Sequence, residues 1–548
     1  MGFFDYHRWS HILFPHGFIY TVLTAILFGF VILTIIFGSL WLKSYPHSNT
    51  PSSNSTNTSV NQYAVANGII GFPPLLPNDG RYVQWTFLHM NDVYELLPLD
   101  QGQKGGLARV AYIRQLLLNE NKNTITFLAG DLVSPSALGT AVVNGTTLNG
   151  KQMIATMNIL GLDYMTFGNH EFDLTKTDLL SRMNESKFTW ISLNVVDKSS
   201  NQSFGSSITH KIITIDNVRI LIIAYTIDGT GDYIRFINQS SLVNYTKEFL
   251  KSFPNGSYDV LVALTHLDVS TDIDLVSEIS EIDFILGGHE HENTYIRRGN
   301  KLIPIYKADS NAFTVYVHRC AYNIDRKRLR IYSTLVEVSS EVPEEENTAA
   351  VANYWFNLGI KGFEALGFQP LEIVSCLPDG IELDGKYQSV TTSVTLLTEA
   401  ICEGLLQVTA TYGTTIALLN GGTIRIDDIL QGTITQYDIL RTLPFPNKIV
   451  ALSVPGDVLA QVLSDGMSVK GTGLYVGYIG VETTDQGSTW LVNGVNVATS
   501  GLTYKVATTV YMKENTKLNN PTVNITQQTE ETQTKALISY LQIKYPPC

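Results

Sequence analysis

The stretch FGNHEFD, Phe167 to Asp173, decides how this chain reads, because a second stretch, GGHEH (Gly287 to His291), answers it far downstream. Between them lies THL with His266, and ahead of them come NDVY (Asn91 to Tyr94) and AGD with Asp131. Carboxylate, carboxamide and neutral imidazole groups are oxygen and nitrogen donors suited to borderline divalent metals such as zinc and manganese. One such residue carries little information. A set in which each member ends an apolar run carries a good deal.

Those runs are Trp85 to His89, Thr124 to Leu128, Met165 to Phe167, Asp259 to Leu264 and Phe284 to Leu286, each short and β-rich. They read as buried strands whose ligands sit on the loops at their ends. Helical periodicity fills the gaps, as in Leu107, Val110, Ala111, Ile113 and Leu117, and again in Leu275 to Ile282. Strands alternating with helices predict an α/β layered core. Two metals about 3.5–4 Å apart on a shared carboxylate form a clamp for hydrolysing a phosphate ester.

The order D-x-(H), GD, GNHE, (T/S)H and GHxH resembles the calcineurin-like metallophosphoesterases. The run GGLARVAYIRQL, with LLNGGTIR and LPFPNKIV later, resembles the 5'-nucleotidase branch of that group, over roughly Trp85 to Ala507. The resemblance implies a four-layer αββα metallophosphoesterase domain at 81–335, a linker helix at 336–365 and a smaller C-terminal α/β substrate domain at 366–548. It implies Asp92 and His291 on a first metal, Asp131 bridging two metals, and Asn169, His266 and His289 on the second. His170 is then expected near the scissile phosphate, stabilising charge or protonating the leaving oxygen, with Asp173 orienting its imidazole. Asn420 and Arg425 are expected to face the substrate, Arg being a natural fork for phosphate oxygens. Phe445 is expected to stack on a base or to pack in the core. Taken singly, His89, His210 and His318 read as surface or core residues, and Glu171 and Glu290 as groups that support ligands or meet solvent.

Three departures from the family pattern stand out. Tyr94 takes the place of the usual His, and a phenol with a pKa near 10 must be strongly acidified to bind a metal. It is left to ligate a harder ion such as ferric iron, to turn away and leave a water, or to leave the first site weak. The Gly-Gly-Asp-Gly-aromatic loop of relatives is replaced by Val510 to Asn515, with Tyr511 as a substitute aromatic. The stretch Ser389 to Thr395 lacks the Arg expected there.

At the N-terminus, Phe18 to Leu42 carries no charge and matches the roughly 20 apolar residues that cross a bilayer. A cleaved signal peptide has an apolar region of only about 7–15 residues, so residues 18–42 read as a signal anchor, 1–17 as a cytoplasmic tail and 43–80 as a stalk. Sequons at Asn54, Asn57, Asn144, Asn184, Asn201, Asn238, Asn244, Asn255 and Asn524 all follow that segment and place the body in the lumen or outside the cell.

The 548 residues are 44% hydrophobic and suffice for two cores. A net charge of −13 excludes nucleic-acid polymers, which need a basic footprint. Cys320, Cys376, Cys402 and Cys548 lack C-x-x-C spacing, so disulfides are favoured over metal sites; three pairings are open, and the terminal Cys548 also offers one between chains of a homodimer. The expected function is that of a membrane-anchored ectoenzyme, using two divalent ions, that hydrolyses nucleoside 5'-monophosphates. The alternatives are a phosphoesterase for nucleotide sugars, cyclic nucleotides or sugar phosphates, and a non-catalytic surface protein on the same scaffold.

Overall fold

The computed structural model describes residues 68–548 except 78, 230 and 238. The apolar segment Phe18–Leu42 and the stalk up to residue 67 lie outside the described residues. Among those described, no helix is long and apolar enough to cross a membrane.

The first domain is laid down as β1 (Tyr82–Met90), β2 (Thr124–Ala129), β3 (Tyr164–Thr166), β4 (Thr189–Trp190), β5 (His210–Ile215) and β6 (Val218–Thr226). It continues with β7 (Val260–His266), β8 (Phe284–Gly287), β9 (Thr294–Arg298), β10 (Ile303–Lys307), β11 (Thr314–Asn323) and β12 (Arg328–Glu337). These form two six-stranded sheets, in the orders β12-β11-β1-β2-β3-β4 and β9-β10-β8-β7-β6-β5. Trp85, Phe87, Phe127, Ile222, Val262, Phe284 and Leu286 come from both sheets and fill one core between them. The central strands are apolar on both faces because each sheet is also covered outside by helices.

Helices α1 (Leu107–Glu120), α2 (Lys151–Leu160) and α3 (Lys176–Glu185) cover the first sheet, while α4 (Gln239–Lys251) and α5 (Val269–Glu278) cover the second. In α1 the buried Leu107, Val110, Ala111, Ile113 and Leu117 recur at three- and four-residue steps, which gives one inward stripe. The periodic run Leu275–Ile282 is helical only to Glu278. Ile279 leaves the helix, and Ile279 and Ile282 reach the same core from a turn, so their apolar spacing reports burial rather than helix.

Helix α6 (Glu346–Ala365) leads to the second domain. Its Ala352, Ile360 and Phe363 join the core beneath α1 and α2, so the linker is docked on the first domain along its inner face. Gly359 and Gly362 permit this close approach, since a Cβ there would meet Leu138 and the Val142 carbonyl. The second domain holds α7 (Leu396–Thr409), β13 (Ile416–Asn420), α8 (Gln436–Thr442), β14 (Lys448–Pro455), α9 (Gly456–Ser468), β15 (Val476–Ile479), β16 (Thr503–Thr509), β17 (Asn524–Thr532) and α10 (Gln533–Lys544). Its sheet runs β15-β13-β16-β14-β17, with α7 and α10 on one face and α9 on the other. Cys376 and Cys548 form a disulfide within the chain, which removes Cys548 from the interchain role open to it; Cys320 and Cys402 are buried thiols.

A buried ion pair fastens the two domains. Arg441 Nε donates to Glu95 Oε1 at 3.0 Å and Tyr437 Oη donates to Glu95 Oε2 at 2.9 Å. Burial nonetheless raises the Glu95 carboxyl above its usual range, against the pull of Arg441. Removing one member of such a pair strands a buried charge, at a cost of about 3–5 kcal/mol, whereas apolar replacement of both is far milder. Arg441→Leu is therefore expected to lower the thermal midpoint followed by circular dichroism, and Glu95→Leu/Arg441→Leu to recover most of the loss. Equal melting of wild type and Arg441→Leu would contradict this account.

Candidate metal centre

The parallel strands deliver the donors at one edge. β1 runs out at Met90 before Asp92, β2 at Ala129 before Asp131, and β3 at Thr166 before Asn169; β7 ends on His266, and β8 ends at Gly287 before His289 and His291. These are carboxyl ends of strands in two facing sheets, the place where open α/β sheets bind ligands. Turning sharply off a strand to aim a side chain inward strains the backbone. Asp92, Asp131, His289 and His291 all take positive φ, at 53°, 56°, 90° and 60°. Four non-glycine residues in that region, all at one site, mark strain held for function.

The donors converge. Tyr94 Oη lies 2.9 Å from Asp131 Oδ2, 3.0 Å from His291 Nε2 and 3.3 Å from Asp92 Oδ1, while His291 Nε2 lies 3.2 Å from Asp92 Oδ1. On the other side His266 Nε2 sits 3.1 Å from Asn169 Oδ1 and 3.5 Å from Asp131 Oδ2. His289 packs its ring against that of His266, and its Nε2 lies 3.4 Å from Asp268 Oδ1. Asp131 thus stands between both groups, where a bridging carboxylate is expected. His266 Nδ1 is 2.8 Å from the Ala129 carbonyl, and donating there leaves its Nε2 lone pair turned to the site.

Three of these residues fit a metal ion on structural grounds. Asp92, Asp131 and His266 are all buried, and each presents a donor atom within 4.8 Å of the other two. Glycine is required beside them, since a Cβ on Gly168 would collide with the Asp131 carboxylate and one on Gly130 with the His266 ring. Burial opposes the charge on Asp92, but the His266 and His291 imidazoles outweigh it and hold the carboxyl well below the usual range. Tyr94 goes the other way: burial, then the Asp131 and Asp92 carboxylates, push its phenol well above 10.

Support comes from groups whose sequence context gave little away. Glu171 lies between the Asp131 and Gly168 loops and accepts backbone N–H groups from Asp131 (3.0 Å), Leu132 (2.7 Å), Val133 (3.2 Å) and Gly168 (2.5 Å). Burial and the neighbouring Asp131 push its carboxyl up to about 8. Glu290 accepts from the Lys307 ammonium at 2.5 Å, and Lys307 also reaches Asp272 and the Leu267 and Gly288 carbonyls, tying the His266 loop to the His289 loop. Glu171 is thus wholly buried and Glu290 is tied down, so neither is simply a solvent group. Asp427, from the second domain, bonds His291 Nδ1 and accepts Tyr387 N at 2.6 Å. Its only signal in the sequence is its place two residues after Arg425.

His170 Nδ1 lies 2.8 Å from Asp173 Oδ2, and its Nε2 receives Arg425 Nη2 at 2.7 Å across the domain boundary. With Nε2 accepting, Nδ1 carries the proton toward Asp173. A cavity of about 520 Å³ opens here, lined by Tyr94, Asp131, Asn169, His170, His289 and His291 of the first domain and by Lys386, Tyr387, Arg425 and Asp427 of the second. Phe445 does not line it. That ring borders a neighbouring cavity of about 560 Å³ with Asp173, Leu443 and Pro444, and Pro135 is common to both. Asn420 is also set back, with Nδ2 3.5 Å from the Gly473 carbonyl. Tyr511 is exposed on a short helix, Val510–Asn515, and lines neither cavity. His89 and His318 are buried between the sheets, His89 bonded to the Gly287 carbonyl.

Comparison with known proteins agrees with this geometry. The profile of the calcineurin-like phosphoesterases matches residues 86–293, and that of the 5'-nucleotidase C-terminal domain matches 374–530, together more than half of the chain. The chain belongs to the 5'-nucleotidase family. It is 24% identical to a 5'-nucleotidase of Mus musculus over 443 residues, which is 72% of this chain and 73% of that protein. It is 25% identical over 457 residues to a trifunctional nucleotide phosphoesterase of Bacillus subtilis, spanning 74% of this chain but only 29% of that longer protein. A 5'-nucleotidase precursor from Thermus thermophilus shares the fold, with a TM-score of 0.69, 20% identity and coverage of 84% of this chain and 97% of that one. A sulfate thiohydrolase from the same genus also shares it, at 0.62 and 13%, covering 86% and 96%. The match indicates a metal-dependent phosphoesterase, and Asp92, Asp131 and His266 form a candidate metal site within it.

Outer groups that orient metal ligands typically change metal affinity about 10–100-fold when altered. Glu171→Gln puts an amide N–H₂ among backbone donors that need acceptors. Zinc titration by calorimetry is expected to show binding weaker by about that factor, and unchanged affinity would remove the positioning role of Glu171.

Proposed function

We propose that the protein is a membrane-anchored ecto-phosphohydrolase that releases phosphate from nucleoside 5'-monophosphates. The observation that carries the reading is the closure of one cavity by both domains, with Arg425 bonded to His170 directly beside the donor cluster. When bound, the two metal ions neutralise phosphoryl charge and lower the pKa of water toward neutrality. Asp131, Asn169, His266 and His289 would hold one ion, and Asp92, His291 and Asp131 the other.

The remaining steps belong to the chain's own groups. Arg425, a planar fork, is placed to take phosphate oxygens in two parallel hydrogen bonds. Substrate entry exchanges its bond to His170 Nε2 for one to the phosphate. His170, freed at Nε2, would take a proton there from solvent and give it to the leaving oxygen, while Asp173 holds Nδ1. Burial opposes charge on Asp173, but the bond to His170 and the charges of His170 and Arg425 outweigh it, so the carboxyl stays ionised below its usual range. That anion stabilises the imidazolium which donates the proton.

A second reading, a phosphoesterase that recognises the phosphate and little of the base, is favoured by the position of Phe445 outside the metal cavity. The same fold also serves a sulfate thiohydrolase, so fold alone does not choose the ester. Tyr387 is the aromatic on the second-domain wall of the metal cavity and offers a stacking face the sequence did not announce. Comparing phosphate release from AMP and from a generic aryl phosphate separates the readings. Base recognition predicts a higher kcat/KM for AMP, and equal values sink it. His170→Ala is expected to lower kcat about 10²–10⁴-fold with metal content retained; an unchanged rate removes its catalytic role.

Membrane anchoring rests on the uncharged run Phe18–Leu42, and lumenal or extracellular exposure on the sequons. Asn144, Asn184, Asn201, Asn244, Asn255 and Asn524 are all exposed, as carriers of glycans must be, and the Cys376–Cys548 bridge suits an oxidising compartment. Glycosidase treatment of the native protein is expected to increase its electrophoretic mobility. No shift would contradict this location.

A further inference from the structure

We propose that the turn between β11 and β12 is a docking surface for a sulfated polysaccharide chain. The segment Asn323 to Arg330 reads NIDRKRLR, with Arg326, Lys327, Arg328 and Arg330 against the single acid Asp325, in a chain whose net charge is −13. All four cations are exposed, and none is ion-paired with a described residue. The turn has a defined shape: Asn323 Oδ1 accepts the Arg326 N–H at 2.9 Å, and Lys327 holds the left-handed region at φ 48°. Leu329 and Ile331 pack inward on the core between the sheets. Strand alternation therefore turns Arg328 and Arg330 outward together, about 7 Å apart. Arg330 is steadied over the Tyr82 ring, 5.9 Å from its centre.

Guanidinium groups are planar forks that take two sulfate or phosphate oxygens at once, and Lys adds a point charge. A row of them along a strand suits a linear polyanion. Sulfated polysaccharides and membranes rich in anionic lipid both present such groups. Anionic lipid is concentrated in the cytoplasmic leaflet, and the inference rests on the reading that the body lies on the other side of the membrane. That favours the polysaccharide. The rest of the chain repels polyanions, but salt at 0.1 M screens charges beyond about 10 Å, and β12 stands at the edge of its sheet. Tyr82 pairs with Asn323, so the turn lies at the end of the first sheet opposite the one that carries Asp92. The length of β1, about 30 Å, separates the two ends. A glycan held at the turn leaves the metal cavity open.

The test uses the full chain in phosphatidylcholine nanodiscs, with heparin as the probe and desulfated heparin as the control. Calorimetry is expected to show heparin binding that desulfation and high salt both abolish. Each basic side chain facing an anionic surface is worth about fivefold in affinity. Arg326→Ser/Lys327→Ser/Arg328→Ser/Arg330→Ser is therefore expected to bind heparin about 10²–10³-fold more weakly. Its far-ultraviolet circular dichroism and its phosphate release from AMP are expected to match wild type. Arg328→Ser/Arg330→Ser, which leaves the turn itself intact, is expected to lose about 25-fold. Equal heparin affinity in wild type and both variants overturns the proposal. So does a wild-type chain that ignores heparin but co-sediments with vesicles containing phosphatidylserine, which assigns the turn to a lipid surface. Glycosidase treatment tests the location separately: heparin binding without a mobility shift supports the docking surface and overturns the lumenal or extracellular reading.

Discussion

The carboxylate of Asp131 is where the structure is most constrained. One oxygen accepts the His170 N–H at 3.0 Å, and the other accepts the Tyr94 hydroxyl at 2.9 Å and lies 3.5 Å from His266. Asp131 can serve all three only because its backbone is held in the left-handed region, and Glu171 holds it there through the N–H groups of Asp131, Leu132 and Val133. The cost of that strain is met by a buried, multiply hydrogen-bonded carboxylate and by two sheets packed face to face behind it. The scaffold is rigid so that these few loops can be strained.

The second domain does more than lie beside the cavity. Asp427 touches a first-site ligand from behind and Arg425 touches His170 from the front, while Glu95 and Arg441 lock the domains together at a buried point. Domain placement and metal-site geometry are therefore linked through named bonds. A movement of the second domain must break the bonds to His291 and His170, and so alters both the metal ligand and the proton carrier.

Much of this was legible in the sequence because it depends on local order. Apolar strands ending in Asp, Asn or His report a parallel sheet edge, and β1, β2, β3, β7 and β8 appear within one or two residues of their apolar runs at most ends. Asp92, Asp131, Asn169, His266, His289 and His291 do come together, and His170 pairs with Asp173. What stayed hidden depends on long-range geometry. Asp427 reads as an ordinary acidic loop residue until the fold brings it against His291. Lys307 is a buried cation whose partners come from separate elements, Asp272 from α5 and Glu290 from the loop after β8. The direction in which Tyr94 points is set by burial, not by spacing. Ile279 and Ile282 continued a helical pattern that burial in a turn explains equally well. Phe445 took its expected place from a resemblance, and the loop that carries it here faces a neighbouring cavity.

The most direct test of the central claim is a crystal structure of the metal-loaded protein with anomalous diffraction recorded at the absorption edges of the bound metals. The account predicts two anomalous peaks sharing Asp131, one within bonding distance of Asn169, His266 and His289 and the other of Asp92 and His291. A map with no peak touching Asp131, or with these side chains turned to unrelated partners, would contradict it.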